Sequence, residues 1–300
     1  MAPPVGTRVL RRALLTVGCF VTTVTLGACA NVLQGDGTGG GGASSQPGSG
    51  PYDHASGPED VLVSVRSDGG FLPVQYTLRN TAEFVLLGNG TAVVQGPMIE
   101  IYPGPAINPL QSATLDEQQI QDLYAAADEA GLLGDEIDFG EPGVTDMPHT
   151  TVRITVGDRT YSQSAYALGF SDDPASGLTG AEIAARARLQ GFIDAARATV
   201  GDESAPYVPP ELAVFRLNSD QSSVDQDLEQ EPLVWPITTL PPPIGTGEAQ
   251  SCVIITGAEA AELVAVLEGA NELTPWLIGA DPPVYLAFRP LLPDDSGCEK

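Results

Sequence analysis

Short apolar segments separated by tight turns limit the folds open to this sequence more than any other feature. Gly88-Asn89-Gly90 stands between apolar residues 84–87 and 91–94, and Asn and Gly tolerate the positive φ that a hairpin turn requires. Gly157-Asp158 separates two further strand-like segments in the same way. Strands joined by such turns are antiparallel, so the sequence predicts hairpins rather than a doubly wound parallel sheet.

Periodicity and capping residues predict the remaining elements. Val alternates with other side chains over residues 61–65, which is typical of a strand. Further strands are predicted at residues 71–78, 99–102, 151–156, 160–168, 212–217, 252–256 and 284–292. Capping signals at Thr114-Leu115-Asp116-Glu117, Thr179-Gly180-Ala181-Glu182 and Thr256-Gly257-Ala258-Glu259 each predict a helix. We therefore expect an α+β fold of antiparallel hairpins packed with three capped helices, with a break near residue 205 that favours two subdomains.

The charge balance excludes several classes of protein. The chain of 300 residues has 39 acidic and 13 basic side chains, a formal charge of −26, while 42% of its residues are hydrophobic. Such an acidic surface repels phosphate backbones and anionic lipid headgroups, so neither nucleic-acid binding nor electrostatic membrane adhesion is expected. After residue 30 no apolar run approaches the roughly 20 residues of a spanning helix, which excludes a polytopic membrane protein.

The first 29 residues carry an export pattern. Arg8, Arg11 and Arg12 precede the apolar residues 13–26, and the stretch ends in Leu26-Gly27-Ala28-Cys29. This tetrapeptide resembles the lipobox of bacterial lipoproteins. The resemblance implies that Cys29 becomes the first residue of the mature protein and carries diacylglycerol and palmitate, which would place the protein on the extracytoplasmic face of the cell membrane.

Alternatives to this interpretation stay open at the level of sequence. Residues 1–28 would also suit an ordinary cleaved secretion signal, and a membrane-retained anchor helix is a further alternative. The pair Arg11-Arg12 leaves twin-arginine export open beside the general route. The order of hairpins and helices over residues 60–200 resembles that of uncharacterised secreted lipoproteins of actinobacteria, and this resemblance implies no catalytic residue.

Composition divides the chain into four parts. Residues 1–28 form the predicted signal peptide, and residues 29–57 form a lipidated Cys followed by a flexible Gly/Ser-rich tether. Residues 58–204 are predicted to be an α+β domain, and residues 205–300 a smaller α+β subdomain. His54 lies in the tether, so we expect it to be exposed to solvent.

Two cysteines remain after export. Cys19 is lost with the signal and Cys29 is used by the lipid, which leaves Cys252 and Cys298. An exported chain with an even number of thiols favours a disulfide bond between them. Closing this loop stabilises the fold by about 4 kcal/mol in the chain-entropy model.

Motifs of known chemistry are missing from the sequence. Outside the tether the one histidine is His149, and no nucleophile elbow, phosphate loop or dinucleotide fingerprint occurs. Two histidines and no spare cysteine do not assemble an ordinary zinc site. Acidic clusters at residues 135–141 and 225–229 lack the spacing of a calcium loop. We therefore predict no catalytic residue, metal or cofactor.

These observations favour a lipid-anchored, non-catalytic binding or accessory component of the cell envelope, with an envelope protein as one candidate partner. A secreted hydrolase that uses carboxylates is the alternative, and a structural spacer is the third. A binding protein should expose an apolar patch, which we expect near Trp235 or Trp276. An enzyme should instead present a cleft with converging carboxylates and shifted pKa values.

Overall fold

The computed structural model describes residues 50–98, 100–170, 176–201, 204–218, 228–246, 248, 250–279 and 281–299. The predicted signal peptide, Cys29 and most of the tether lie outside these residues. Within the described part, the chain is a mixed α+β protein with antiparallel sheets, which confirms the predicted fold class. None of the described helices combines the length and the apolar character needed to cross a membrane.

Twelve strands and four helices occur in the described residues. In chain order they are β1 (Val61–Gly69), α1 (Val74–Arg79), β2 (Phe84–Leu87), β3 (Thr91–Gln95), β4 (Leu110–Thr114), α2 (Glu117–Glu129), β5 (Pro148–Val156), β6 (Arg159–Tyr166), α3 (Gly180–Ala198), β7 (Ala205–Pro206), β8 (Glu211–Leu217), β9 (Leu233–Val234), β10 (Gln250–Thr256), α4 (Gly257–Leu267), β11 (Pro275–Leu277) and β12 (Val284–Leu291).

The first sheet has the strand order β6-β5-β1-β2-β3-β4-β7, and all its neighbouring strands are antiparallel. The predicted hairpins at Gly88-Asn89-Gly90 and Gly157-Asp158 join β2 to β3 and β5 to β6. Helices α2 and α3 cover one face of this sheet. Their apolar sides, including Leu123 and Phe192, pack with the inward-facing valines of β1.

The second sheet has the order β10-β8-β12-β11-β9, with one parallel pair between β11 and β9. Helix α4 covers one face, and Trp235, Trp276 and Phe288 fill the space beneath it. Both tryptophans are buried. The expected exposed patch around Trp235 or Trp276 is therefore wrong, because these rings form an aromatic cluster in the core.

The faces of the two sheets that α2, α3 and α4 leave uncovered are joined, in part through α1. Val85 and Val93 of the first sheet pack against Leu292, just beyond β12, while Leu78 of α1 packs against Phe215 of the second sheet. The described strands of the first sheet lie within residues 61–206, and those of the second within residues 211–291. The boundary between residues 204 and 205 stays a prediction.

Two predicted strands are wrong. Residues 74–79 form α1, because Gly69 and Gly70 adopt positive φ and end β1, and Pro73 then suits the start of a helix. Of the predicted strand at residues 99–102, residue 99 lies outside the described residues and residues 100–102 are not a strand. They lie exposed in a proline-rich loop between β3 and β4, where Pro103 and Pro105 cannot donate ladder hydrogen bonds.

The three predicted caps have different outcomes. The Thr179 box of α3 forms as predicted, with Glu182 completing it. Helix α2 is capped by Asp116 instead of Thr114, because Thr114 is still paired in β4. Helix α4 begins after Thr256, whose hydroxyl makes no capping hydrogen bond.

Candidate functional site

An apolar groove of about 580 Å³ lies where the edge of the first sheet meets the end of α4. We call it the apolar groove. Its walls are the loop of residues 97–110 between β3 and β4, residues 206–209 after β7, and residues 264–271 at the end of α4. This volume lies within the range of about 300–1,000 Å³ that small-molecule sites occupy.

The walls of the apolar groove are held in place by the chain itself. Six prolines line it: Pro97, Pro103, Pro105, Pro109, Pro206 and Pro209. Each fixes its own φ, which lowers the number of conformations open to the loop. Backbone amides add links, since Ala106 donates to the carbonyl of Ala270 at 3.1 Å and Tyr207 donates to that of Leu110 at 2.9 Å. The groove is therefore largely formed before anything binds.

Large apolar side chains are exposed along the apolar groove. Met98 is 50% exposed, Ile101 58% and Val208 55%. Contiguous apolar surface of this kind marks ligand grooves and interaction sites. The sequence prediction of an exposed apolar patch on a binding protein therefore has a counterpart here, at a different place from the one expected.

The polar groups of the apolar groove are few and mostly uncharged. Among the described residues its lining contains the side chains of Asn108, Asn271 and Tyr207, one carboxylate at Glu268, and no Lys or Arg. Burial raises the pKa of the Tyr207 hydroxyl, so it stays protonated and able to donate at neutral pH. This lining suits a neutral apolar molecule and offers nothing to neutralise an anion.

Relatives do not help to identify this groove. Comparisons with family models, curated proteins and solved structures give no match for this chain. The chemistry of its own residues is then the basis for any functional conclusion.

The cysteines predicted to pair are bonded. Cys252 on β10 and Cys298 near the C-terminus form a disulfide with an S–S distance of 2.10 Å and a Cα–Cα distance of 5.8 Å. It fastens the C-terminal tail to the edge strand of the second sheet. Cys29 lies outside the described residues, so its lipidation stays a prediction.

In the described part of the chain, neither histidine is hydrogen-bonded to a Ser, Thr or Cys side chain. His149 is exposed at the start of β5, with its ring 5.1 Å from that of Tyr166. The neighbouring Ser164 hydroxyl is hydrogen-bonded to Thr151 at 3.1 Å. The expectation that His54 is exposed is wrong: it is buried, and its Nε2 lies 3.1 Å from a carboxylate oxygen of Glu117.

The described carboxylates include one that is buried beside a cation. Burial raises the pKa of Asp295, whose partner is Arg66 rather than a second carboxyl. Glu136, Asp138 and Glu141 line an open depression beside His149. The described residues include no group of three or more His, Cys, Asp or Glu side chains that could hold a metal ion.

The apolar groove was missed at the level of sequence because its segment was interpreted as an edge strand. The available signal was the combination of closely spaced prolines with Met98 and Ile101 between them. Prolines keep such a loop out of the sheet, and apolar side chains in a loop that cannot join the core mark a surface with another use.

Proposed function

We propose that this chain is a lipid-anchored, extracytoplasmic, non-catalytic binding protein that takes up a neutral apolar small molecule in the apolar groove. The observation that carries the proposal is a preformed groove of ligand size whose exposed lining is apolar and free of cationic side chains. Residues 1–28 and the lipobox ending at Cys29 support the location.

Charge narrows the class of ligand. An anionic molecule would meet the Glu268 carboxylate and a chain of formal charge −26, with no Lys or Arg in the described lining of the groove to offset it. Asn108 and Tyr207 can supply hydrogen bonds to a neutral polar atom at the end of an apolar body, whereas the side chain of Asn271 is already bonded to Gln230 and Leu273. A diacyl anchor would also hold the groove near a bilayer, where neutral apolar molecules accumulate.

The proposal is tested with the mature chain carrying Cys29→Ser, so that neither lipid nor detergent competes. Titration with the neutral fluorophore N-phenyl-1-naphthylamine should give a saturable rise in fluorescence with one site. The double variant Ile101→Asp/Val208→Asp should weaken binding by about tenfold or more, equivalent to about 1.4 kcal/mol, because it places two charges in the apolar lining.

A matched control separates the groove from general surface hydrophobicity. Phe71 and Val234 are 86% and 71% exposed, and neither lines the groove. Phe71→Asp/Val234→Asp adds the same two charges and should leave the affinity unchanged. Equal affinities in the two double variants, or no saturable binding to the parent protein, would contradict the proposal.

A further inference from the structure

A second cavity of about 420 Å³ lies between the uncovered faces of the two sheets, and we call it the polar pocket. Its lining is Ser64, Arg66, Asp68 and Gly69 of β1, Thr77 of α1, Asn80, Thr151 and Arg153 of β5, Arg289 of β12, and Asp294 and Ser296 of the C-terminal tail. The polar pocket shares no lining residue with the apolar groove.

Arginines are concentrated in the polar pocket. Three of the 13 basic residues of this acidic chain line it, and they come from three strands that are distant in sequence. The register between β1 and β5 pairs Ser64 with Arg153 and Arg66 with Thr151, so these four residues share one face of the first sheet. Guanidinium groups beside hydroxyls are well suited to bind a carboxylate.

Two of these arginines are fixed in position. Arg66 pairs with Asp295, whose side chain is buried. Arg289 is 4% exposed, donates to the carbonyls of Gly297 and Glu299, and lies with its guanidinium carbon 5.3 Å from the centre of the Phe215 ring. Because their positions are set by the fold, a bound anion would not have to order them.

The third arginine is free to pair with a ligand. Arg153 is exposed, and no described Asp or Glu lies within ion-pair distance of its guanidinium. Its strand neighbours hold it beside the cavity. Arg153 is therefore an exposed cation of the pocket that has no carboxylate partner within the described part of the chain.

Two buried polar atoms of the lining residues lack partners within the described part of the chain. One is a donor, Nε of Arg289, and the other is an acceptor, Oδ1 of Asp294. These two atoms are buried beneath the surface of the pocket, so they are not themselves the contacts of a ligand. A ligand that matches the lining residues carries an oxyanion for the arginines and an N–H or O–H donor for the carboxylates of Asp68 and Asp294.

The aspartates limit the charge of that ligand. Asp68 and Asp294 line the pocket, and Asp295 lies behind Arg66, so the arginine charge is largely offset. Because the aspartates repel negative charge, a dianion such as phosphate would be only weakly attracted to the pocket. A carboxylate that also carries an ammonium or hydroxyl group can contact both the arginines and the aspartates. We propose that the polar pocket binds a small monocarboxylate with such a donor, in the class of amino acids and hydroxy acids.

The test is calorimetric titration of the mature Cys29→Ser protein with the proteinogenic amino acids, glycolate, lactate and glycerate, and with inorganic phosphate for comparison. At least one monocarboxylate should bind at one site with a Kd of about 1 mM or tighter. Arg153→Gln should weaken that binding about tenfold or more, because it removes the exposed cation of the pocket.

Arg159→Gln is the matched control, since Arg159 lies on the neighbouring strand β6, is exposed over the Tyr161 ring and is outside the pocket. It removes the same charge and should bind like the parent. The proposal is overturned if no monocarboxylate binds, if phosphate binds more tightly, or if the two variants behave alike. The groove variant Ile101→Asp/Val208→Asp should retain carboxylate binding, which keeps this result separate from that of the apolar groove.

Discussion

His54 shows how one side chain fixes the start of the folded body. Its Nδ1 lies 2.7 Å from the carbonyl oxygen of Ala55, its Nε2 lies 3.1 Å from a carboxylate oxygen of Glu117, and its ring stands 6.0 Å from that of Tyr124. Just before it, the backbone of Tyr52 exchanges hydrogen bonds with the side chain of Gln121, both at 2.9 Å. The ordered body therefore includes residues 50–57, which use α2 as their support.

Replacing His54 tests this contact, and the chain offers a matched control in its second histidine. His54→Ala should lower the free energy of unfolding by about 2 kcal/mol, because it opens a cavity and leaves polar partners unmatched. His149→Ala, at an exposed position, should change it by less than about 0.5 kcal/mol. Urea denaturation measures both values, and equal effects would show that the His54 contact contributes nothing.

At the scale of elements, the start of α4 differs from the starts of α2 and α3. The latter two begin with reciprocal capping boxes. In α4, Glu259 instead accepts hydrogen bonds from the backbone amides of Thr238 and Thr239, at 2.9 and 3.2 Å, and from the Thr238 hydroxyl. This carboxylate thus ties the helix to the segment that carries Trp235, whose indole N–H donates to the carbonyl of Thr239.

This tie predicts a pH-dependent contribution to stability. Hydrogen bonds from Thr238 and Thr239 lower the pKa of Glu259 to about 2 from its ordinary value of 4.5. A lowered pKa in the folded state means that the contribution is complete above about pH 4.5 and is lost as the pH falls towards 2. Glu259→Gln should therefore be less stable than the parent at pH 6, and the difference should shrink steadily between pH 4.5 and 2.5.

Glu262→Gln removes the same charge from the exposed side of α4 and serves as the control. Denaturant unfolding at a series of pH values measures all three proteins. A stability difference between the parent and Glu259→Gln that does not change over this range would show that the Thr238 contact is not the source of the effect.

At the scale of the whole molecule, both cavities lie where the two sheets meet. The apolar groove joins the edge of the first sheet to α4, and the polar pocket joins β1 and β5 to β12. A largely buried ion pair links the same two halves, since Arg79 of α1 lies 3.0 Å from Glu272, which also accepts from the amide of Gly104 at 2.7 Å. Formation of the sites thus depends on correct packing of the sheets.

This placement explains which features the sequence could predict. Hairpin turns such as Gly88-Asn89-Gly90 and the capping box at Thr179 depend on neighbouring residues, so local patterns were sufficient. The disulfide followed from the count of cysteines in an exported chain. The environment of His54, and the meeting of Arg153 with Arg289, depend on contacts between segments far apart in the sequence, for which one sequence carries no local signal.

The charge of the mature protein makes its proposed attachment to the membrane depend on the lipid alone. Removal of residues 1–28 takes away three arginines and no acid, which moves the formal charge from −26 to −29. A body this acidic is repelled by an anionic leaflet, so it contributes no electrostatic binding.

Cys29→Ser should therefore move the protein from the membrane pellet to the soluble fraction, or halt its maturation, in fractionated cells. Cys19→Ser alters a thiol within the predicted signal peptide and should leave the protein in the pellet, where washing with concentrated salt should not release it. Retention of the Cys29→Ser variant in the pellet at the size of the processed protein would contradict the lipid anchor, whereas a retained precursor of full length is the halted maturation.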